Sequence, residues 1–509
     1  METAFEDLPA LRGSPLRYAV VTGLQHLRII PGPCLGLRRQ IRRALSFAIL
    51  FRNPPQNVSS LAETNRHRLF LSLTIPPAAA SQLMTSETSP TMDTTATSFP
   101  VAWCRSQFPA LARQHNGRNA VFFDGPAGSQ TPECVIDAIG DYLRHTNANH
   151  GGVFATSRES DALLEGVHSA VADLLGAPDP DCVVFGANMT TLAFHLSRTL
   201  SRTWQPGDEI IVTQLDHDAN VTPWVLAARD AGATIRHLPI HPGECTLDLD
   251  ALSQLLTTRT RLVAVGAASN AVGTVNPIAT ICRMAHAVGA EVAVDAVHFA
   301  PHRLIDVAEW GCDWLLASAY KFFGPHIGIL WGHRHRLESL ECYKVRPATN
   351  TLPGKWMTGT QNHECLAGVG AAVEYLATLG RQIDPSAVNR RVALRVAYTG
   401  IAAHERVLTS QFLSGVAALP AIHLFGSNLP NSDHRVATFG LRHTQHTPAT
   451  LAQSLSDNGI FTWHGNFYAL PLTEALALEP DGLLRIGFLH YNTQDEVARL
   501  LSHLNAITR

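Results

Sequence analysis

The sequence predicts an α/β protein. A large domain is expected on a mostly parallel seven-stranded sheet, followed by a smaller C-terminal α+β domain. Three observations predict it. From about residue 105 short β-branched runs alternate with longer amphipathic stretches, the order expected of βαβ units. The short runs are almost continuously apolar, as strands covered by helices on both faces must be. Beyond about residue 380 the alternation gives way to a mixed pattern.

The first hundred residues stand apart. Residues 8–62 contain no acidic side chain but carry Arg12, Arg17, Arg28, Arg38, Arg39, Arg42, Arg43 and Arg52, and the Ser/Thr run SETSPTMDTTATS follows. Residues 1–100 are therefore expected to be a disordered extension. It reads either as an organellar transit-like segment or as a non-native start upstream of Met84 or Met92. Its longest apolar stretches, ALSFAILF and LFLSLTI, are too short to span a bilayer.

The strands are expected at 182–186, 209–213, 234–240, 261–266, 291–296, 313–318 and 327–332. The link between the last two, through Lys321 and Pro325, is too short for a parallel crossover, so the seventh strand is expected to run antiparallel. A long helix follows at about 363–380. The smaller domain then offers the strand-like RVATFGLRH, a helix in LAQSLSDNG, the strand-like LLRIGFLHY and a terminal amphipathic helix. These runs divide the chain into a large domain over 101–380 and a small one over 381–509.

Composition narrows the function classes. A net charge of -3 and scattered histidines give no basic field for nucleic acid or an anionic membrane. Nine cysteines without a CxxC pair argue against a zinc ribbon or a disulfide framework, and favour a reducing compartment, the cytoplasm by default. Organellar targeting is the alternative if residues 1–83 are genuine. Only Lys321, Lys344 and Lys355 are lysines, so chemistry that needs a primary amine has three candidates.

In open α/β sheets ligands bind outside the carboxyl ends of the strands. Asn270, Asp295, His298, Ser318 and Lys321 all fall at such ends, and His217 lies in the loop after the second strand. An aspartate closing an apolar strand needs a cationic partner. Arg485, inside the apolar run LLRIGFLHY, is costly to bury without an anion, and its planar fork suits a carboxylate.

The ordered segments VTQLDHDAN, SNAVGTVNP, VDAVH and SAYKFFGPHIGILWG resemble the fold-type I enzymes that use pyridoxal 5′-phosphate (PLP). Among them the chain is most similar to class V aminotransferases and cysteine desulfurases, over about residues 120–505. The resemblance implies that Lys321 carries the cofactor as a Schiff base and that Asp295 pairs with its pyridinium nitrogen. His217 would stack on the ring, and Asn270 and His298 would reach its phenolic oxygen, although glutamine is common in place of His298. The helix opening at Asn188, Met189 and Thr190 would hold the phosphate with Ser318 and Tyr320. Asn-Met-Thr replaces the usual Gly-Thr-Thr, and Tyr320 replaces a histidine common in desulfurases. Gly359 and Thr360 would reach the neighbouring subunit's cofactor, implying a homodimer. Arg485 would bind the α-carboxylate of an amino-acid substrate.

One departure bears on the reaction. Desulfurases of this family attack sulfur with a loop cysteine shortly before the arginine strand. Here that stretch is HGNFYALP, with Phe467 and Tyr468 at the place, and no cysteine follows Cys365. A lyase, epimerase or aminotransferase is therefore expected rather than a desulfurase, with His464, Asn466 and Tyr468 lining the side-chain pocket. Two other classes compete. A metal-dependent hydrolase could use the Asp and His groups of LDHDAN and WGHRHR, although no metal ligand set is assigned, and a non-catalytic PLP-fold binding protein is the other. A nicotinamide dehydrogenase lacks its glycine fingerprint here.

Overall fold

The seven apolar runs form one sheet in a computed structural model that describes residues 99–429 and 433–507. The expectations for residues 1–98 lie outside the described residues. The strands are β1 (Val183–Gly186), β2 (Glu209–Thr213), β3 (Thr234–Leu238), β4 (Thr260–Gly266), β5 (Glu291–Asp295), β6 (Trp314–Ser318) and β7 (Gly328–Gly332). Their order across the sheet is β1-β7-β6-β5-β4-β2-β3. β7 runs antiparallel to both neighbours, as its short link to β6 requires. The remaining pairings are parallel.

Every residue of β2, β6 and β7 is buried, which is why the middles of these strands read as continuous apolar runs rather than alternating ones. Covering them are α1 (Ala155–Leu175), α2 (Met189–Ser201), α3 (Thr222–Ala231), α4 (Ile278–His286) and α5 (His363–Ile383).

After α5 the structure differs from the sequence expectation of an immediate change to a mixed pattern. A 28-residue helix, α6 (Arg390–Ala417), comes first. Its buried face carries Glu405 and Thr409 among the apolar residues, while Val392 and Val407 are about half exposed on the other side. The apolar stripe that announces a helix is blurred at both edges. Gly380 lets α6 start against α5: a Cβ there would lie 1.9 Å from the Ala393 carbonyl oxygen. Glu405 is not an orphan, since His302 Nδ1 lies 2.8 Å from its Oε2 and both side chains are buried.

The C-terminal part forms a second, antiparallel sheet of β8 (Ile422–Phe425), β9 (Thr438–His443), β10 (Trp463–Gly465) and β11 (Leu483–Gly487), in the order β8-β9-β11-β10. β8 and β10 were not expected; both are short and half exposed, and leave little periodic signal. Helices α7 (Pro448–Asp457) and α8 (Gln494–Ile507) accompany the sheet. A core of its own, with Phe412 and Phe439 ring centroids 4.5 Å apart, holds it together.

The segment before α1 runs alongside this second sheet. Val121–Phe122 pairs in parallel with Ile460–Phe461, and Asp124 bridges to Gly487. Among the described residues no helix is long and apolar enough to cross a membrane.

Candidate active site

The carboxyl ends of β4, β5 and β6 and the start of α2 enclose a cavity. Asn188, Met189, Thr190, His217, Asn270, Asp295, His298, Ser318, Tyr320 and Lys321 all line it. Sequence-distant polar groups converge there because the strands that carry them are neighbours in the parallel part of the sheet.

Lys321 follows β6 at the turn toward β7 and is 8% exposed. Its Nζ donates to the carbonyls of Pro126 at 2.5 Å and Ala127 at 2.9 Å, and lies 4.9 Å from the centre of the Tyr320 ring. Burial, aided by the Arg485 charge and opposed by Asp295, lowers its pKa to about 7. A lysine so placed is partly free amine at neutral pH, the form that acts as nucleophile or base.

Asp295 ends β5, and its Oδ1 accepts the Val297 N–H at 2.8 Å. Burial raises its pKa to about 6, the signature of a carboxylate lacking a close cation. His217 is pushed down to about 4 by burial and then by Lys321 and Arg485, so its ring is neutral. Its Nδ1 accepts the Ala219 N–H at 3.0 Å. The His298 pKa is likewise lowered, by burial first.

The start of α2 is capped by Asn188, whose Oδ1 accepts the Thr191 N–H at 2.9 Å, while the Met189 N–H donates to Ser318 Oγ at 3.2 Å. Gly328 on β7 permits this approach, because a Cβ there would lie 2.3 Å from the Asn188 carbonyl carbon. The cavity is thus given a helix N-terminus, whose backbone donors and dipole suit a phosphate.

Two cavity-lining residues keep buried polar atoms without partners, Asn270 Oδ1 and His298 Nδ1. Buried polar atoms of this kind call for a ligand. An amine, a carboxylate, a neutral imidazole and a helix N-terminus on one cavity match the aldehyde, pyridinium, ring and phosphate of PLP in turn, so the donor set fits that cofactor.

Arg485 lies in β11 and is 5% exposed. Its Nη1 donates to the Asn270 carbonyl at 3.0 Å, and its guanidinium carbon lies 4.1 Å from the centre of the Phe467 ring. It forms no ion pair among the described residues, and burial, opposed by Asp124, lowers its pKa to about 9. Gly359 and Thr360 do not line the cavity; they sit on an exposed segment before α5.

The expected side-chain pocket is arranged otherwise. His464 is exposed on β10, Asn466 shapes its own loop by accepting the Tyr468 N–H at 3.1 Å, and Tyr468 stacks on His217 with centroids 5.3 Å apart. None of the three lines the cavity. The groups of LDHDAN are committed to local bonds: Asp216 accepts the Gly266 N–H at 2.9 Å, and Asp218 accepts from Thr222 Oγ1 at 2.8 Å. Among the described residues no three His, Cys, Asp or Glu side chains are placed to hold a metal ion.

Four contributors escaped the sequence reading. Pro126 and Ala127 offer only carbonyls, which no pattern of side chains reveals. Asp124 is half-buried near Arg485, with a buried, unpartnered Oδ1 and a pKa raised to about 6 by desolvation; an aspartate before a Gly-Pro turn is its only signal. Asp216 lines the cavity together with His217, and burial raises its pKa to about 7.

The last value makes a prediction. With a folded pKa above the usual carboxylate value of 3.8, Asp216 binds its proton more tightly in the native state. Its contribution is fully present below about pH 4 and is lost as pH rises toward about 7. Relative to wild type, Asp216→Asn is therefore expected to gain stability over that window. Urea unfolding of both proteins at a series of pH values checks it; a difference independent of pH would contradict the burial argument.

Comparison with known proteins shows the family and the fold. The model of the family described as "Aminotransferase class-V" matches residues 121–500. A cysteine desulfurase of Dickeya dadantii is 32% identical over 427 residues, covering 81% of this chain and 97% of the relative. One from Klebsiella pneumoniae is 32% identical over 430 residues, covering 81% and 99%. Among solved structures, the Escherichia coli cysteine desulfurase CsdA in its S-sulfonic acid form superposes with a TM-score of 0.69 at 28% identity, covering 80% of this chain and 98% of that one. The cysteine desulfurase of Thermococcus onnurineus shares the fold, with a TM-score of 0.70 at 24% identity.

Proposed function

Because this chain belongs to the class V aminotransferase family, a cysteine desulfurase-like family of PLP-dependent enzymes, we propose that it acts on the α-carbon of an amino acid as a lyase, epimerase or aminotransferase. The observation that carries this reading is Tyr468. By the sequence resemblance Phe467 and Tyr468 would fall where the family's desulfurases hold their attacking thiol, and the Tyr468 ring is stacked on His217. A phenol held in this way cannot accept sulfur as a persulfide.

Bound in the cavity, PLP supplies an electron sink that weakens the bonds to the substrate's α-carbon. Lys321 would hold its aldehyde carbon and Asp295 its ring nitrogen. His217, Asn270 and His298 would contact the ring and its oxygen, while Asn188, Met189, Thr190, Ser318 and Tyr320 would hold the phosphate. Arg485 would orient the substrate carboxylate. The Lys321 Nζ, with its lowered pKa, can take a proton at neutral pH and return it.

The cofactor-holding residues fall in 101–380 and Arg485 in 381–509, which we assign as large and small domains. Gly359 and Thr360, exposed and outside the cavity, are assigned to the partner subunit's site in a homodimer.

The test is a panel of L- and D-amino acids given to PLP-loaded protein, with α-keto acid, ammonia, enantiomer and sulfide followed together. Keto acid, ammonia or inversion without a protein-bound persulfide is the expected outcome. Rapid sulfide release from cysteine with a protein persulfide would overturn the reading.

A further inference from the structure

Phe467 and Tyr468 both adopt left-handed backbone conformations, with φ of +57° and +60°. Side-chain-bearing residues adopt this region rarely, and two in succession persist only when their surroundings fix them. Here the fixing groups belong to the site. The Phe467 carbonyl accepts from Asn270 Nδ2 at 2.9 Å, and the Tyr468 carbonyl accepts the Asp218 N–H at 2.7 Å. The two rings then lie against Arg485 at 4.1 Å and against His217 at 5.3 Å.

We infer that this dipeptide is a positioning clamp for substrate recognition, and that the Phe467 ring restrains the Arg485 guanidinium. The inference rests on the reading of Arg485 as the carboxylate site. With its carbon 4.1 Å from the ring centre, the guanidinium is packed against an aromatic ring and loses rotational freedom, while its N–H fork stays able to bind a carboxylate. Phe467 therefore does not compete with the substrate; it removes the rotations that would misalign the fork. The Nη1 bond to the Asn270 carbonyl is a second restraint, and Asn270 is itself held by the loop. Phe467 is a positioning residue, acting through Arg485.

The test uses PLP-loaded protein and two probes, aminooxyacetate and methoxyamine, which share the reacting group and differ in the carboxylate. Calorimetric titration gives the ratio of their affinities, a measure of carboxylate recognition alone. Wild type is expected to prefer aminooxyacetate. Phe467→Ala is expected to lower that preference roughly tenfold with methoxyamine unchanged, and Phe467→Tyr to keep it. A purely structural role would weaken both probes together. Thermal melting and hydrogen exchange at the Asp218 amide report whether the loop stays in place.

A preference retained in full by Phe467→Ala, or an equal loss for both probes, overturns the clamp. Arg485→Gln separates the two ideas. If it abolishes the preference while Phe467→Ala does not, only the clamp falls. If it leaves the preference intact, the carboxylate reading falls and the clamp with it.

Discussion

Lys321→Ala is expected to lower turnover by at least about a thousandfold and to remove the visible absorbance of PLP-reconstituted protein that borohydride reduces. The size of the effect follows from the scarcity of amines. Lys344 Nζ is tied to the Ala348 carbonyl at 2.8 Å, and Lys355 Nζ to the carbonyls of Leu337 at 3.0 Å and Glu338 at 2.6 Å. Neither lines the cavity, so no second amine can take over. The substitution also leaves the Pro126 and Ala127 carbonyls without their donor, a cost of about 1–3 kcal/mol. The variant should therefore melt earlier yet remain folded. Turnover above a tenth of wild type, or an unchanged spectrum, would remove Lys321 from its proposed role.

Arg485→Gln is expected to lower kcat/KM for a carboxylate-bearing substrate by roughly 10²–10³-fold, the range for removing one side of a buried charged hydrogen-bonded pair. The corresponding amino-acid amide should lose far less. Stability should move the other way or not at all. The guanidinium is buried, forms no ion pair among the described residues, and is held to a pKa of about 9 by burial; removing such a charge relieves its desolvation cost. Steady-state kinetics on acid and amide, with thermal melting of both proteins, check the pair of outcomes. Equal losses on acid and amide would mean that the arginine supports the strand rather than the substrate.

Much of this was legible in the sequence for a physical reason. A strand buried on both faces must be apolar through its middle, so β2 and β6 announced themselves, and so did Asp295, Ser318 and Lys321 at strand ends. α6 was not legible, because a helix that buries Glu405 against His302 breaks its own apolar stripe. Asp124 was not legible either, since its meaning comes from Arg485, which lies far along the chain. The contact between Phe467 and Arg485 was hidden for a related reason: nothing in HGNFYALP shows that two residues take left-handed backbone angles.

The pairing of Val121–Phe122 with Ile460–Phe461, and of Asp124 with Gly487, bears on the order in which the chain can be assembled. Asp124, Pro126 and Ala127 stand beside Lys321 and Arg485, yet their backbone is anchored by residues made near the end of synthesis. β1 likewise gains its sheet neighbour only when β7 appears. Such far-apart pairings delay folding and leave edges open meanwhile. A nascent or truncated chain ending before residue 460 would hold Lys321 without the strand that fixes its carbonyl partners. The enzyme is therefore committed to finishing its chain before it can hold a reactive cofactor in working geometry.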